Sequence, residues 1–230
     1  MTLVGTVITL PDPVLAELIG AAFDLAWIDL EHGALGVDAV PALAVALRAA
    51  GCRADVRLPS WSSEALPPVA DAGVDGVVAP CVESADEAEA FAARLRYPPS
   101  GTRGFGPRRA GGYGRSATVS PRCTVQIESV AGVEAAAAIA AAEGVDALVV
   151  GCADLSLSLG ERPGVDSPRL QEAVGRVRRA ARGARVAFGI AGAADGSAGD
   201  GADLVLHSVD VRLYARGADV AATSVRRSIA

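Results

Sequence analysis

The chain has 230 residues, enough to bury one large core, and a net charge of −6 that argues against general nucleic-acid binding. Hydrophobic residues make up 51% and aromatics only 4%, so a core must be packed from Val, Leu, Ile and Ala. All 21 basic residues are arginine; without a lysine, a lysine Schiff base and the lysine of a Walker-type phosphate loop are both excluded.

No apolar run reaches membrane-spanning length, and Met1-Thr-Leu-Val-Gly5 reads as the start of a strand and lacks a basic signal-peptide start. Cys52, Cys81, Cys123 and Cys152 show no CxxC spacing, so a reduced, cytoplasmic protein is expected.

In chain order, a strand over residues 4–10 meets Pro11-Asp-Pro13, where proline suits a helix start, and apolar residues continue at helical spacing over 13–23. A second strand, 25–30, runs into Glu31-His-Gly33, followed by a helix over 37–50 closed by Gly51. A short third strand, 54–58, stops at Pro59. The next helix is expected over 62–72, kinked or delayed by Pro67-Pro68. A fourth strand, 76–82, precedes a helix from Ser84 to Arg96 with a good cap and acids in its first turn. Residues 97–122 form the longest irregular stretch, rich in Gly, Pro and Arg.

Two apolar runs then end in carboxylates, Glu128 and Asp154, with an alanine-rich stretch over 130–144 between them, long enough for one helix and a turn. Such a strand–helix–strand unit makes the strands parallel neighbours and brings both carboxylates to one edge. A basic helix over 168–183, a seventh strand over 186–190, a glycine-rich stretch over 191–202, an eighth strand over 204–209 and a helical tail complete the chain. Eight strands separated by helix-like segments spell a single (β/α)8 barrel over residues 1–230. The runner-up, a doubly wound open sheet, lacks a GxGxxG after its first strand.

In a barrel the strand ends converge. Strand two offers Asp29, Glu31 and His32, strand three Arg57, strand five Gln126 and Glu128, and strand six Asp154. Glu128 and Asp154 suit a hard divalent cation with open positions for water and substrate; the alternative is a pair of capping acids. Arg57 offers a planar fork for a carboxylate or a carbonyl, and His32 an imidazole able to move a proton directly or through a metal-bound water. His207, inside an apolar strand, is expected to be packed, and Arg176, Arg178, Arg179 and Arg182 to form a solvated face.

The same residues carry a family resemblance. Ile28-Asp-Leu-Glu-His32, Val56-Arg57, Tyr97-Pro-Pro-Ser-Gly-Thr-Arg-Gly-Phe-Gly106, Val125-Gln-Ile-Glu128 and Gly151-Cys-Ala-Asp-Leu-Ser156 resemble the signatures of the HpcH/HpaI aldolases, metal-dependent (class II) pyruvate aldolases. The resemblance runs in order along the chain to Leu213-Tyr-Ala-Arg-Gly217. It implies Glu128 and Asp154 as ligands of Mg²⁺, Mn²⁺ or Co²⁺, and Arg57, Gln126 and the amides of Ala153 and Asp154 as the pyruvate site. It implies His32 as the base, acting through a metal-bound water, Asp71 as the carboxylate that orients it, Asp29 as a further acid of the site, and a homohexamer with the last helix packed on a neighbour. Leu30 and Cys152 depart from the family pattern, and the 191–202 stretch is shorter than the family's helix there.

The expected activity is cleavage or formation of 4-hydroxy-2-oxo acids from pyruvate, or oxaloacetate, and an aldehyde. A citrate-forming synthase or oxaloacetate decarboxylase on the same frame is the first alternative, and a non-catalytic small-acid-binding protein the second. The aldehyde is open. Arg103, Arg108, Arg109 and Arg115 of the long loop either neutralise an acidic substrate tail or bond to the loop's own carbonyls.

Overall fold

The eight apolar runs form eight parallel strands that close in sequence order into a barrel in the computed structural model, which describes residues 1–106, 108–117, 119–164, 166–192 and 201–229. The strands are β1 (Leu3–Ile8), β2 (Leu25–Asp29), β3 (Arg53–Arg57), β4 (Gly76–Ala79), β5 (Arg122–Ile127), β6 (Ala147–Gly151), β7 (Ala187–Ala191) and β8 (Leu204–Val209). Closure comes from β1 pairing with β8, Leu3 beside Leu204.

The period-two alternation of a strand sorts side chains into two cores. Leu25, Trp27, Val78, Val149, Leu204 and Leu206 pack together inside the barrel. Ala26, Ile28, Ala54, Val56, Val77, Val125, Ile127, Leu148 and Val150 face outward into the larger core beneath the helices. The inward parity also carries the polar residues Asp29, Asp55, Thr124, Gln126 and Glu128, all buried. Gly76 makes room for one of them: a Cβ there would press on the Asp55 carboxylate, which accepts a 2.7 Å hydrogen bond from Arg122.

The helices are α1 (Pro13–Gly20), α2 (Val40–Ala49), α3 (Leu66–Asp71), α4 (Ala85–Leu95), α5 (Val130–Ala141), α6 (Cys152–Ser158), α7 (Pro168–Ala184) and α8 (Asp210–Ile229). Local chemistry explains their starts. Asp12 accepts from the amides of Val14 and Leu15 ahead of Pro13, Ser84 from Glu87, Ser129 from Gly132 and Ser167 from Leu170. The helix expected from residue 62 begins at Leu66, because proline fits the first turn of a helix and Pro67-Pro68 therefore mark its start. A short 3-10 turn, Val37–Ala39, precedes α2.

Three elements differ from the sequence reading. The long stretch 97–122 contains a 3-10 segment, Arg109–Gly114, kinked by left-handed Gly112 and Tyr113. The sixth strand ends at Gly151, and Cys152 turns at once into α6, so Asp154 sits in a helix's first turn and not on the strand. The strand β8 is irregular: its register with β1 shifts between Gly5 and Val7, and Ser208 is left-handed at φ 64°. Most of the glycine-rich 191–202 stretch, residues 193–200, lies outside the described residues. No helix among the described residues is long and apolar enough to cross a membrane.

Candidate active site

Register builds the first half of the site. Asp29 and Arg57 are direct partners in the β2–β3 ladder, and both point inward at the C-terminal end of their strands. Arg57 donates through Nε to Asp29 Oδ1 at 2.9 Å and through Nη2 to Oδ2 at 2.7 Å, a two-pronged pair. Its Nη1 lies 3.2 Å from Glu31 Oε2. Burial alone would raise the Asp29 carboxyl, yet the bond and charge of Arg57 outweigh it and hold the pKa below the ordinary 3.8. Glu31 moves the other way: burial raises it by more than Arg57 pulls it back.

The second half is made by β5 and β6. Gln126 and Glu128 share the inward face; Gln126 Nε2 donates to Glu128 Oε1 at 2.6 Å. Glu128 Oε2 accepts from the Cys81 amide at 3.1 Å, and the thiol lies 3.3 Å away. Cys81 reaches it from just past β4 because its backbone is left-handed, φ 52°. Glu128 is 5% exposed, and burial raises its pKa to about 6 against the opposing Cys81 bond. A Cβ on Gly151 would collide with Glu128 Oε1 and Gln126 Nε2, so any side chain there would displace both groups. Three residues on, Asp154 stands exposed in the first turn of α6, with half-buried Ala153 beside it.

These residues line one cavity of ≈450 Å³: His32, Arg57, Gln126, Glu128, Ala153 and Asp154 all border it. Asp29 lies behind Arg57, 1% exposed. The His32 side chain is 67% exposed, its Nε2 3.9 Å from Glu31 Oε2.

Asp71 is placed elsewhere. At the end of α3 it accepts a 2.7 Å hydrogen bond from Arg103 and borders a different concavity with Arg108, Arg109 and Tyr113. Within this chain it is bonded to Arg103 and not to His32, because α3 carries it on the outer wall of the barrel. Arg103 is itself buried and stacks over the Tyr97 ring at 4.7 Å. Of the four loop arginines, then, Arg103 holds the loop to α3, and none borders the Arg57 cavity.

Three contributors went unnoticed or were misread in the sequence. Cys81 and Gly151 shape the Glu128 carboxylate, and nothing in an apolar strand end or a lone glycine marks them. His207 was expected to be packed; it is exposed and lines the cavity, with Arg212 and Arg216 from α8. The β8 irregularity re-aims the residues that follow it, and alternation alone does not reveal such a break. Cys152 is fully buried, and burial pushes its thiol up to about 12, which does not suit a nucleophile.

The side chains that could hold a divalent cation are Glu128 and Asp154. Among the described residues no cluster of three or more His, Cys, Asp or Glu side chains forms a closed cage. The set nonetheless fits a hard cation that keeps several water or substrate oxygens. The glycine at 151 keeps a side chain off Glu128 Oε1, and the buried Gln126 Oε1 has no partner among the described residues.

A barrel with acids, an arginine fork and a histidine at the C-terminal strand ends is an enzyme frame. A family model described as HpcH/HpaI aldolase/citrate lyase matches residues 11–215, and the chain belongs to that family. It is 33% identical over 94% of its length to a 4-hydroxy-2-oxovalerate aldolase of Rhodococcus jostii, of which the match covers 88%. It is 34% identical over 97% of its length to a hydroxypyruvate/pyruvate aldolase of Deinococcus radiodurans, of which the match covers 85%. The crystal structure of a family member from Burkholderia cenocepacia superposes with a TM-score of 0.89 at 32% identity, covering 98% of this chain and 95% of that one. The chain is a class II aldolase, a carbon–carbon lyase.

Proposed function

We propose that this aldolase cleaves or forms 4-hydroxy-2-oxo acids through a pyruvate enolate, with Arg57, His32, Glu128 and Asp154 as the reacting set in a single-domain barrel. The observation that carries the reading is the Asp29–Arg57–Glu31 network opening onto the same cavity as Glu128, Gln126 and Asp154.

Arg57 enters the reaction already oriented. Two of its nitrogens are fixed by Asp29 and a third by Glu31, so its charge is aimed before substrate binds and no reorganisation is needed as negative charge develops on the keto oxygen. Gln126 is fixed by Glu128 and can hold the substrate's oxygens in register. The amides of Ala153 and Asp154 lie in the first turn of α6, where no intrahelical acceptor competes for them, and suit the pyruvate carboxylate. His32, exposed over the cavity, is placed to move the proton. In synthesis it takes a pyruvate methyl proton as the enolate forms and gives it to the alkoxide made by attack on the aldehyde. In cleavage it takes the 4-hydroxyl proton as the carbon–carbon bond breaks and gives it to the enolate carbon. A divalent ion on Glu128 and Asp154, Mg²⁺, Mn²⁺ or Co²⁺, would supply Lewis-acid charge to that enolate. Asp29 acts by holding Arg57.

The four cysteines are free, which supports a reducing, cytoplasmic setting. The exposed length of α8 supports a homo-oligomer, with a hexamer as the expected state.

The test is a panel of aldehydes with pyruvate, with and without Mg²⁺, Mn²⁺ or Co²⁺, and oxaloacetate alone in parallel. Aldol turnover that vanishes on chelation and returns with the ion is expected, with Glu128→Ala and Asp154→Ala each as damaging as chelation. Full aldol activity after exhaustive chelation would remove the metal from the proposal, and decarboxylation without any aldol product would favour the decarboxylase.

A further inference from the structure

Of the two carboxylates proposed to hold the cation, Glu128 is bonded on both of its oxygens. Oε1 accepts from Gln126 Nε2 at 2.6 Å. Oε2 accepts twice from one residue: from the Cys81 amide at 3.1 Å and, since a thiol is protonated at neutral pH, from its Sγ at 3.3 Å. A carboxylate offers about four lone-pair sites, so both of those on Oε2 are occupied and one of those on Oε1. The site left open is on Oε1, the oxygen that a Cβ on Gly151 would strike. Glu128 is buried, so little water reaches it to replace a donor that is lost.

Cys81 makes both bonds from an unusual backbone. Its φ of 52° is left-handed, a conformation that glycine adopts freely and a cysteine does not. Glycine at this position would donate the same amide without that strain, so what the cysteine adds is its thiol. Packing does not account for the thiol either. Cys52, Cys123 and Cys152 are buried in the core beneath the helices, whereas Cys81 is exposed and belongs to neither core. Its side chain is spent on Glu128.

We infer that Cys81 is a positioning residue of the cation site: its thiol, together with its amide, fixes Oε2 of Glu128 and so presents Oε1 to the divalent ion. A group that holds a ligating carboxylate in this way sets metal affinity without touching the metal. The inference rests on the proposed metal role of Glu128 and adds the residue that holds that ligand in place.

The experiment strips the full chain of metal, titrates it with Mn²⁺ and follows the free ion by its electron paramagnetic resonance signal. Cys81→Gly and Cys81→Ala both keep the amide and lose the thiol, and only the glycine relieves the left-handed backbone. Both should raise the Kd for Mn²⁺ by about 10-fold. Cys81→Ser sets a hydroxyl donor against the same oxygen and should return the Kd to within about 3-fold of the wild type. Thermal melts of the metal-free proteins report the backbone separately: glycine and alanine should differ there while agreeing in Kd. A rise below about 3-fold in both variants would overturn the inference. So would a serine variant as weak as alanine, or Kd values for glycine and alanine that part as their melts do. Glu128→Ala separates the two layers. Wild-type Mn²⁺ binding that needs Glu128 but not the Cys81 thiol removes this inference alone. Wild-type binding that survives Glu128→Ala, or no binding at all, removes the metal role of Glu128 and this inference with it.

Discussion

Three nitrogens of Arg57 are engaged by protein carboxylates, and the pair with Asp29 is nearly dry, the two side chains being 12% and 2% exposed. Asp29→Asn removes the two-pronged partner of a buried guanidinium and leaves only the single Glu31 contact, so the fold should lose about 2–3 kcal/mol at pH 7. The sign with pH follows from the direction of the shift. The folded-state pKa of Asp29 lies below its ordinary 3.8, so the carboxylate's contribution is complete above that value and is lost as pH falls through the folded pKa. Denaturant unfolding of both proteins at pH 7 and again below pH 4 should therefore show the gap between them closing in acid. A gap that stays constant would mean that Asp29 carries no charge in the fold. The pairing itself was only half legible. Asp29 and Arg57 each stood at a strand end in the sequence, but their contact depends on a β2–β3 register that no local pattern encodes.

At the scale of elements, α8 is the one that the single chain does not explain. Its first turns are tied down: Asp210 accepts from the Thr9 and Leu10 amides, and Tyr214 donates to the Leu15 carbonyl at 3.3 Å. From residue 215 to residue 229 every position is exposed, including Val220, Val225 and Ile229. Helices in water owe most of their stability to packing an apolar face, so this one calls for a partner surface. Light scattering at micromolar concentration should report an oligomer, and deletion of residues 218–230 should shift it to smaller species while the barrel stays folded. A monomer before truncation would overturn the assignment. The tail was legible as a helix from its composition, and its lack of a home in the same chain was not, since burial is not a local property.

At the scale of the whole molecule, the absence of lysine and the placement of the charged groups demand one kind of catalysis. An aldolase without lysine has no side-chain amine to condense with a keto group. The α-amino group of Met1 precedes β1, whose N-terminal end lies at the opposite rim from the C-terminal strand ends that carry Arg57 and Glu128. Treatment with pyruvate and borohydride should accordingly leave both activity and protein mass unchanged, as mass spectrometry would show. A trapped pyruvate adduct would place the chemistry at the terminal amine and not at the electrostatic site.

What the sequence determined by itself was everything carried by local periodicity. Apolar runs of strand length, helix caps such as Asp12, Ser84 and Ser129, and the alternation that turns Gln126 and Glu128 to the same face are properties of neighbouring residues, and the barrel could be read from them. The tertiary structure decided whatever depends on distant segments meeting. Asp29 and Arg57 are 28 positions apart, Cys81 and Glu128 47, and Asp71 and Arg103 32. The last of these ties Asp71 to the long loop within this chain. Closure of β8 on β1 brings His207, Arg212 and Arg216 to the same cavity as His32, which lies 175 positions before His207. Side-chain alternation is enforced within a strand, whereas register, bulges and closure are chosen by the summed packing of all eight, and only the folded chain contains that sum.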